Sequence, residues 1–155
     1  MQDDDRTTLA SAPLFAALAP ETLELLLGLG EEQRFERGAE LFAEETAATH
    51  LYVVLEGSVR LTRGVVPYGD AVLAVLGAGE VFGELAFLDG EPRSATARTD
   101  EWTRVLAIPA DALEDLLLMR QDIAVEILWN LVRVLGRRLR KTNERLTLLS
   151  RTLPR

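Results

Sequence analysis

From Glu32 to about Pro109 the chain is a succession of short runs rich in β-branched and aromatic residues, separated by closely spaced glycines. Leu51-Tyr52-Val53-Val54-Leu55, Val59-Arg60-Leu61-Thr62, Val72-Leu73-Ala74-Val75-Leu76 and Val105-Leu106-Ala107-Ile108 have strand length and composition. Gly38, Gly57, Gly64, Gly69, Gly77, Gly79 and Gly90 supply the turns between runs. Many short strands at close turn spacing imply a small antiparallel sandwich or barrel.

Helical patterns flank this region. Ser11-Ala12-Pro13-Leu14-Phe15 followed by Pro20 to Leu27 reads as entry helices over 12–30, with Pro20 at a helix start and Gly28 or Gly30 at its end. After Asp111, read as a helix N-cap, the chain is helical over 111–155, and Asp122 is read as the cap of a much longer second helix. That helix carries a seven-residue repeat. Val125, Val132, Leu139, Leu146 and Leu153 hold one seam position, and Leu128, Leu135, Thr142 and Leu149 hold the other. Such a seam points to a two-fold helix pair between subunits through residues 122–153, with a helix folded back on its own domain as the alternative.

The chain has 155 residues, enough for one domain over 1–155 with a real core. It has no cysteine and a single histidine, His50, which removes disulfides, thiol catalysis and thiolate metal sites and leaves no histidine-rich metal site. The acidic start Met1-Gln2-Asp3-Asp4-Asp5 is no signal peptide, and no apolar run has membrane-spanning length. The reading is a cytoplasmic protein with no membrane partner. Net charge is −8, unevenly placed: from Arg133 onward eight Lys/Arg face only Glu144, whereas the preceding body is strongly acidic. A short basic run of this kind reads as a solvated helix face, and the acidic body would repel DNA phosphate.

One segment carries chemistry. Val81-Phe82-Gly83-Glu84-Leu85-Ala86-Phe87-Leu88-Asp89-Gly90-Glu91-Pro92-Arg93-Ser94-Ala95-Thr96-Ala97 sets the acid Glu84, the arginine Arg93 and the hydroxyl of Ser94 among mostly small and apolar residues. Gly83 admits close approach of a ligand to the backbone. Leu85 to Leu88 can form one helical turn with free N–H groups. Arg93 adds a planar donor fork suited to phosphate oxygens. Glu84 repels phosphate and suits a ribose hydroxyl, which donates.

This segment, residues 81–97, resembles the phosphate-binding cassette of the cyclic nucleotide-binding domain. That family includes bacterial catabolite activators of the Crp/Fnr type, regulatory subunits of cyclic-nucleotide-dependent kinases, and nucleotide-gated channels. The motif Phe82-Gly83-Glu84-Leu85-Ala86, then Pro92-Arg93-Ser94-Ala95, fills every cassette position with an expected residue type. The resemblance extends to Arg37-Gly38 with Leu41-Phe42 and to Leu51 through Val59. It implies a mainly β, α+β fold: an eight-stranded antiparallel β-roll of jelly-roll type over 31–109, with N-terminal helices and a long C-terminal dimerisation helix. In the catabolite activators a Thr-Ser pair on that helix contacts adenine, the Thr from one subunit and the Ser from its partner. Here the matching positions are Thr142 and Asn143.

The resemblance implies a homodimeric receptor for a cyclic nucleotide: cAMP, with cGMP as the alternative, and no separate cofactor. Arg93 and Ser94 would hold the cyclic phosphate with backbone N–H groups near Gly83, Leu85 and Ala86. Glu84 would accept from the ribose, Leu61 and Leu73 would pack on sugar or base, and Thr142 with Asn143 would close over the base. Arg138 is a candidate partner of Glu84 or the phosphate. No catalytic residue and no metal ligand is expected, because the segment has no nucleophile and base pair and no ligand cluster. The helix-turn-helix domain of the catabolite activators has no counterpart before Arg155, so no sequence-specific DNA binding by this chain alone is expected. Two alternatives remain open at this point: a Crp/Fnr-type regulator acting through a separate DNA-binding partner, and a ligand-free structural dimerisation module. The downstream protein is not identified by sequence.

Overall fold

The structure is a computed structural model that describes residues 3–152; for Asp3, Leu85, Ala86 and Thr152 it describes the backbone only. Met1, Gln2 and the seam position Leu153 lie outside the described residues, as does Arg155. The chain enters through helices α1 (Asp3–Ser11) and α2 (Pro20–Leu29). Strands β1 (Glu31–Phe35), β2 (Glu40–Phe42), β3 (His50–Glu56), β4 (Val59–Val65), β5 (Gly69–Leu76) and β6 (Val81–Phe82) follow. A short helix α3 (Glu84–Asp89) precedes β7 (Thr96–Thr99) and β8 (Thr103–Pro109), and helices α4 (Ala110–Met119) and α5 (Gln121–Thr152) close the fold.

All strand pairings are antiparallel and form two four-stranded sheets, ordered β1-β8-β3-β6 and β2-β7-β4-β5. The eight strands are the expected β-roll. Period-two alternation explains how β3 and β8 serve two cores at once. Tyr52, Val54, Val105 and Ala107 face the space between the sheets with Phe82, Val59 and Leu76. Leu51, Val53, Leu106 and Ile108 face outward into a second core with Leu9, Phe15, Leu26, Leu113 and Ile127 of the helical layer. Both faces of β3 and β8 are therefore dry, which is why their sequences read as unbroken apolar runs.

The helices begin elsewhere than the sequence reading put them. The first is α1 at Asp3–Ser11, and residues 13–17 form a turn instead of belonging to a helix over 12–30. Helix α1 is held by the fully buried Leu9 and by Asp5, whose carboxylate accepts hydrogen bonds from the buried Arg104 of β8, the shorter at 2.7 Å. Arg104 also lies 3.1 Å from Glu56 and 3.3 Å from Glu32, and the hydrogen bond to Asp5 raises its guanidinium pKa furthest. Asp111 is not the cap of α4: that helix starts at Ala110 with Pro109 in the capping position, and the Asp111 carboxylate accepts from the Ala112 N–H inside the first turn. Asp122 likewise lies within the first turn of α5, paired with Arg120 at 2.9 Å. Pro20 and Gly30 bound α2 as expected.

Helix α5 is one continuous element of 32 residues. Its first turns pack on the domain through Ile123, Ile127 and Leu131, a stripe distinct from the seven-residue seam. Asn130 is buried beside this stripe and donates to the Leu14 and Ala16 carbonyls at 3.1 and 2.9 Å, satisfying the turn after α1. The seam itself stays largely open: Val125, Leu128, Val132, Leu139, Leu146 and Leu149 are all exposed, and Leu135 alone leans on the core. The long helix thus carries two apolar stripes, one used within the chain and one unused.

Candidate functional site

The residues of the 81–97 segment are brought to one place by the end of β6, the turn into α3 and the approach to β7. Gly83 has φ +81°, and a Cβ there would lie 2.5 Å from Arg93 Nη1 and 3.3 Å from the His50 carbonyl oxygen. Only glycine meets both the left-handed backbone and the close approach of the guanidinium. Arg93 is fixed from both ends. Its backbone N–H donates to Thr46 O and its carbonyl accepts from Glu45 N, each at 2.8 Å, while Nη1 donates to Gly83 O at 3.0 Å and Nη2 to His50 O at 2.6 Å.

Arg93 is 2% exposed, and among the described residues no carboxylate lies within ion-pair distance of it. Its charge is met instead by rings: Cζ lies 4.1 Å from the Phe42 centroid and 5.7 Å from that of Tyr52. Its Nε is buried without a hydrogen-bond partner. Burial lowers the guanidinium pKa from its ordinary value, with Tyr52 and the Glu84 carboxylate acting in the opposite direction. Burial also pushes the Tyr52 phenol up.

Glu84, at the start of α3, is 3% exposed and accepts a hydrogen bond from Arg138 of α5, whose second Nη donates to Val81 O. A helix that begins 37 residues after the acid thereby reaches back to it. Of the two roles open to Arg138 in sequence, the contact with Glu84 is the one seen.

A cavity of ≈ 790 Å³ opens between these groups, β4 and β5, and α5. Gly83, Glu84, Arg93 and Ser94 line one wall. Leu61 and Leu73 line another from paired strands, with Leu61 opposite Ala74 in register. Arg138 and Thr142 close it from α5. Asn143 does not line it; one residue along a helix turns about 100° away, and Asn143 is exposed. Leu85 and Ala86 supply the backbone of α3, and their side chains lie outside the described residues.

The cavity also has walls that sequence reasoning did not pick out: Phe42, Glu80, Lys141 and Arg145. Arg145 donates to Leu73 O at 3.1 Å and so ties the outer half of α5 to β5. Phe42 stood in a run assigned only to strand pairing, and the alternation of β2 would have turned it inward toward the core. For Arg145 no local signal exists, because its partner lies 72 residues earlier.

Arg93 and Glu84, a buried cation and a buried carboxylate, thus line one cavity of ≈ 790 Å³, within the range of small-molecule sites. The sequence profile of the cyclic nucleotide-binding domain matches residues 32–120. The chain belongs to the cyclic nucleotide-binding domain family. It is 37% identical over 139 residues to the cyclic AMP receptor protein of Thermus thermophilus, covering 90% of this chain and 62% of that protein. To the CRP-like cAMP-activated global transcriptional regulator of Mycobacterium tuberculosis it is 33% identical over 138 residues, covering 89% of this chain and 60% of that one. Among solved structures, a cyclic nucleotide-binding domain from Methylobacillus flagellatus superposes with a TM-score of 0.84 at 25% identity, covering 99% of this chain and 85% of that one. The chain therefore spans about 60% of the length of the curated relatives it matches. Among the described residues no helix of this cyclic nucleotide-binding domain is long and apolar enough to cross a membrane.

Proposed function

We propose that this chain acts as a receptor module for cAMP, in which binding is coupled to the pose of α5 and α5 pairs two copies into a homodimer. One observation carries the reading. Arg93 is a buried guanidinium with no carboxylate in ion-pair reach and no partner for its Nε among the described residues, set in the wall of a ≈ 790 Å³ cavity. A cation prepared in this way lacks only an anion.

In this reading Arg93, the Ser94 hydroxyl and backbone N–H groups near Gly83, Leu85 and Ala86 donate to the cyclic phosphate. Glu84 accepts from the ribose 2′-hydroxyl and shares its carboxylate with Arg138. Because Arg138 belongs to α5, any change in what Glu84 accepts is felt by the helix, and this is the coupling. Leu61 and Leu73 pack on the sugar or base. Thr142 reads the base of its own subunit's ligand, and Asn143 reaches the partner's. The chain binds and releases its ligand without catalysis.

Calorimetric titration with cAMP and cGMP tests the proposal directly. The expected result is saturable binding of one cAMP per chain, with cGMP weaker. No heat with either nucleotide overturns it and favours a ligand-free dimerisation module.

A second reading, transcriptional regulation through a DNA-binding partner, is favoured by the name of the Mycobacterium tuberculosis relative above, a transcriptional regulator. A DNA-binding protein that co-purifies with the native chain and releases with cAMP supports it. In both readings these 155 residues alone bind no DNA sequence specifically, and a salt-resistant footprint at one sequence would contradict this.

A further inference from the structure

A second concave surface lies outside the cavity described above. It is a groove of ≈ 740 Å³ between α5 and the turn after α1, with Pro13 and Ala16 on one side, Asn130 buried at its base, and Arg133, Arg137 and Arg140 along the helix. None of these three arginines has a carboxylate within ion-pair distance among the described residues. By contrast Arg6, Arg34, Arg60, Arg63, Arg98 and Arg120 are each paired on the rest of the surface. In a chain of net charge −8 this is a concentrated and uncompensated positive strip. Arg133 is partly held by the Trp129 ring, with Cζ 5.8 Å from its centroid.

We propose that this groove binds an extended acidic segment of a partner protein. Two observations favour that occupant. The rise from Arg133 to Arg137 is about 6 Å, close to the ~6.8 Å between side chains on one side of an extended strand, so successive acidic side chains meet successive guanidinium forks. Asn130 spends both donated hydrogen bonds on Leu14 O and Ala16 O, leaving an acceptor oxygen that accepts nothing among the described residues. A peptide brings N–H donors to such an oxygen, whereas a phosphate backbone does not.

The groove remains open if α5 forms a dimer. Arg133 and Arg140 each follow a seam residue, Val132 and Leu139, by one position, and a step of one residue turns about 100° around the helix. Arg137 lies between them on the same outer flank. Because the groove joins α5 to the turn after α1, its occupant reads the pose of that helix against its domain.

The test is fluorescence anisotropy of labelled hexaglutamate with the full 155-residue chain, beside a single-stranded oligothymidylate of equal charge. The wild type binds hexaglutamate saturably. Combined Arg133→Ala, Arg137→Ala and Arg140→Ala weakens it at least about tenfold, and Arg151→Ala, further along the same helix, leaves it unchanged. Should the triple variant fail to fold, Arg137→Glu alone gives the same direction, with an unchanged melting temperature as its control. Absence of wild-type binding, equal loss from Arg151→Ala, or tighter binding of the oligothymidylate each overturns the proposal.

Discussion

The Arg93 guanidinium lies over the Phe42 ring, 4.1 Å from Cζ to the centroid, and this contact joins the segment that leads into β7 to β2, the strand β7 pairs with at that edge of the sheet. A desolvated cation over an aromatic face gains about 2 kcal/mol or more. The ring steadies the charge without supplying an anion that would compete with a ligand. Phe42→Leu is therefore expected to weaken cAMP binding by about 10- to 30-fold. In an Arg93→Leu background, itself costing about 2 to 5 kcal/mol of binding, the same substitution adds little. Calorimetry on the four chains of this cycle decides it; an equal loss in both backgrounds would show that the ring acts apart from Arg93.

The seam on α5 leads to a second expectation. Leu139 is 62% exposed and Val132 59%, surface that a paired helix would cover. Leu139→Glu places a carboxylate against its own symmetry mate and is expected to give a monomer in sedimentation velocity. A wild type that sediments as a monomer at micromolar concentration contradicts the dimer.

Stability depends on a different charge. Asp5 is 1% exposed and its carboxylate is held by Arg104, a residue with Glu32 and Glu56 also close by. Arg104→Leu removes the guanidinium that holds this buried acid and is expected to cost about 3 to 5 kcal/mol. For a chain of this size that is a fall in melting temperature of about 6 to 20 °C. Asp5→Asn in the same chain recovers part of the loss. A calorimetric melt unchanged by Arg104→Leu would refute the role.

The junction of α4 and α5 carries a pH signature. The hydrogen bond from Arg120 holds the Asp122 carboxyl down at about 2. Its folded value lies below the unfolded one of about 3.9, so the pair stabilises the fold fully above about pH 4 and ceases to do so as pH falls through about 2. Carboxyl NMR is expected to find the midpoint near the lower value. Arg120→Ala is expected to move it upward, toward about 3.9. A midpoint that stays put in the variant would remove the pair as the cause.

What could be read from sequence was whatever is local. Gly83, Glu84, Arg93 and Ser94 lie within a dozen residues of each other, and their resemblance to the family cassette marked them together before the cavity brought them to one wall. The apolar runs at β3 and β8 are strands dry on both faces, whereas β4 and β5 are buried only at Val59 and Leu76. Long-range pairs were not legible. Phe42 meets Arg93 across 51 positions, and Arg104 meets Asp5 across 99, which is why an acidic N-terminal stretch with little apolar content turned out to be helix α1. In α5 the seven-residue seam was legible, but Ile123, Ile127 and Leu131 form a second stripe that a single-period reading absorbs without notice. Asn130 is a buried donor to a turn that sequence could not place beside it.

Base choice provides the last test, and the structure separates two residues that are neighbours in sequence. Thr142 lines the cavity of its own chain and Asn143 does not. If both read the base, they do so in different subunits. Thr142→Ala should then weaken cAMP binding in the chain that carries it, whereas Asn143→Ala should weaken binding in the partner. Each lost hydrogen bond is worth about 0.5 to 1.5 kcal/mol, or roughly 2- to 13-fold in affinity, with cGMP affected less. A heterodimer of one Asn143→Ala chain and one Arg93→Leu chain distinguishes the subunits. The Arg93→Leu chain is silent in binding, so the one functional cavity belongs to the Asn143→Ala chain and is capped by a wild-type Asn143 from across the interface. Near wild-type affinity in that single cavity is the expected result. A weakened cavity there would mean that Asn143 acts within its own subunit, by setting the register of α5 and not by reaching the partner's base.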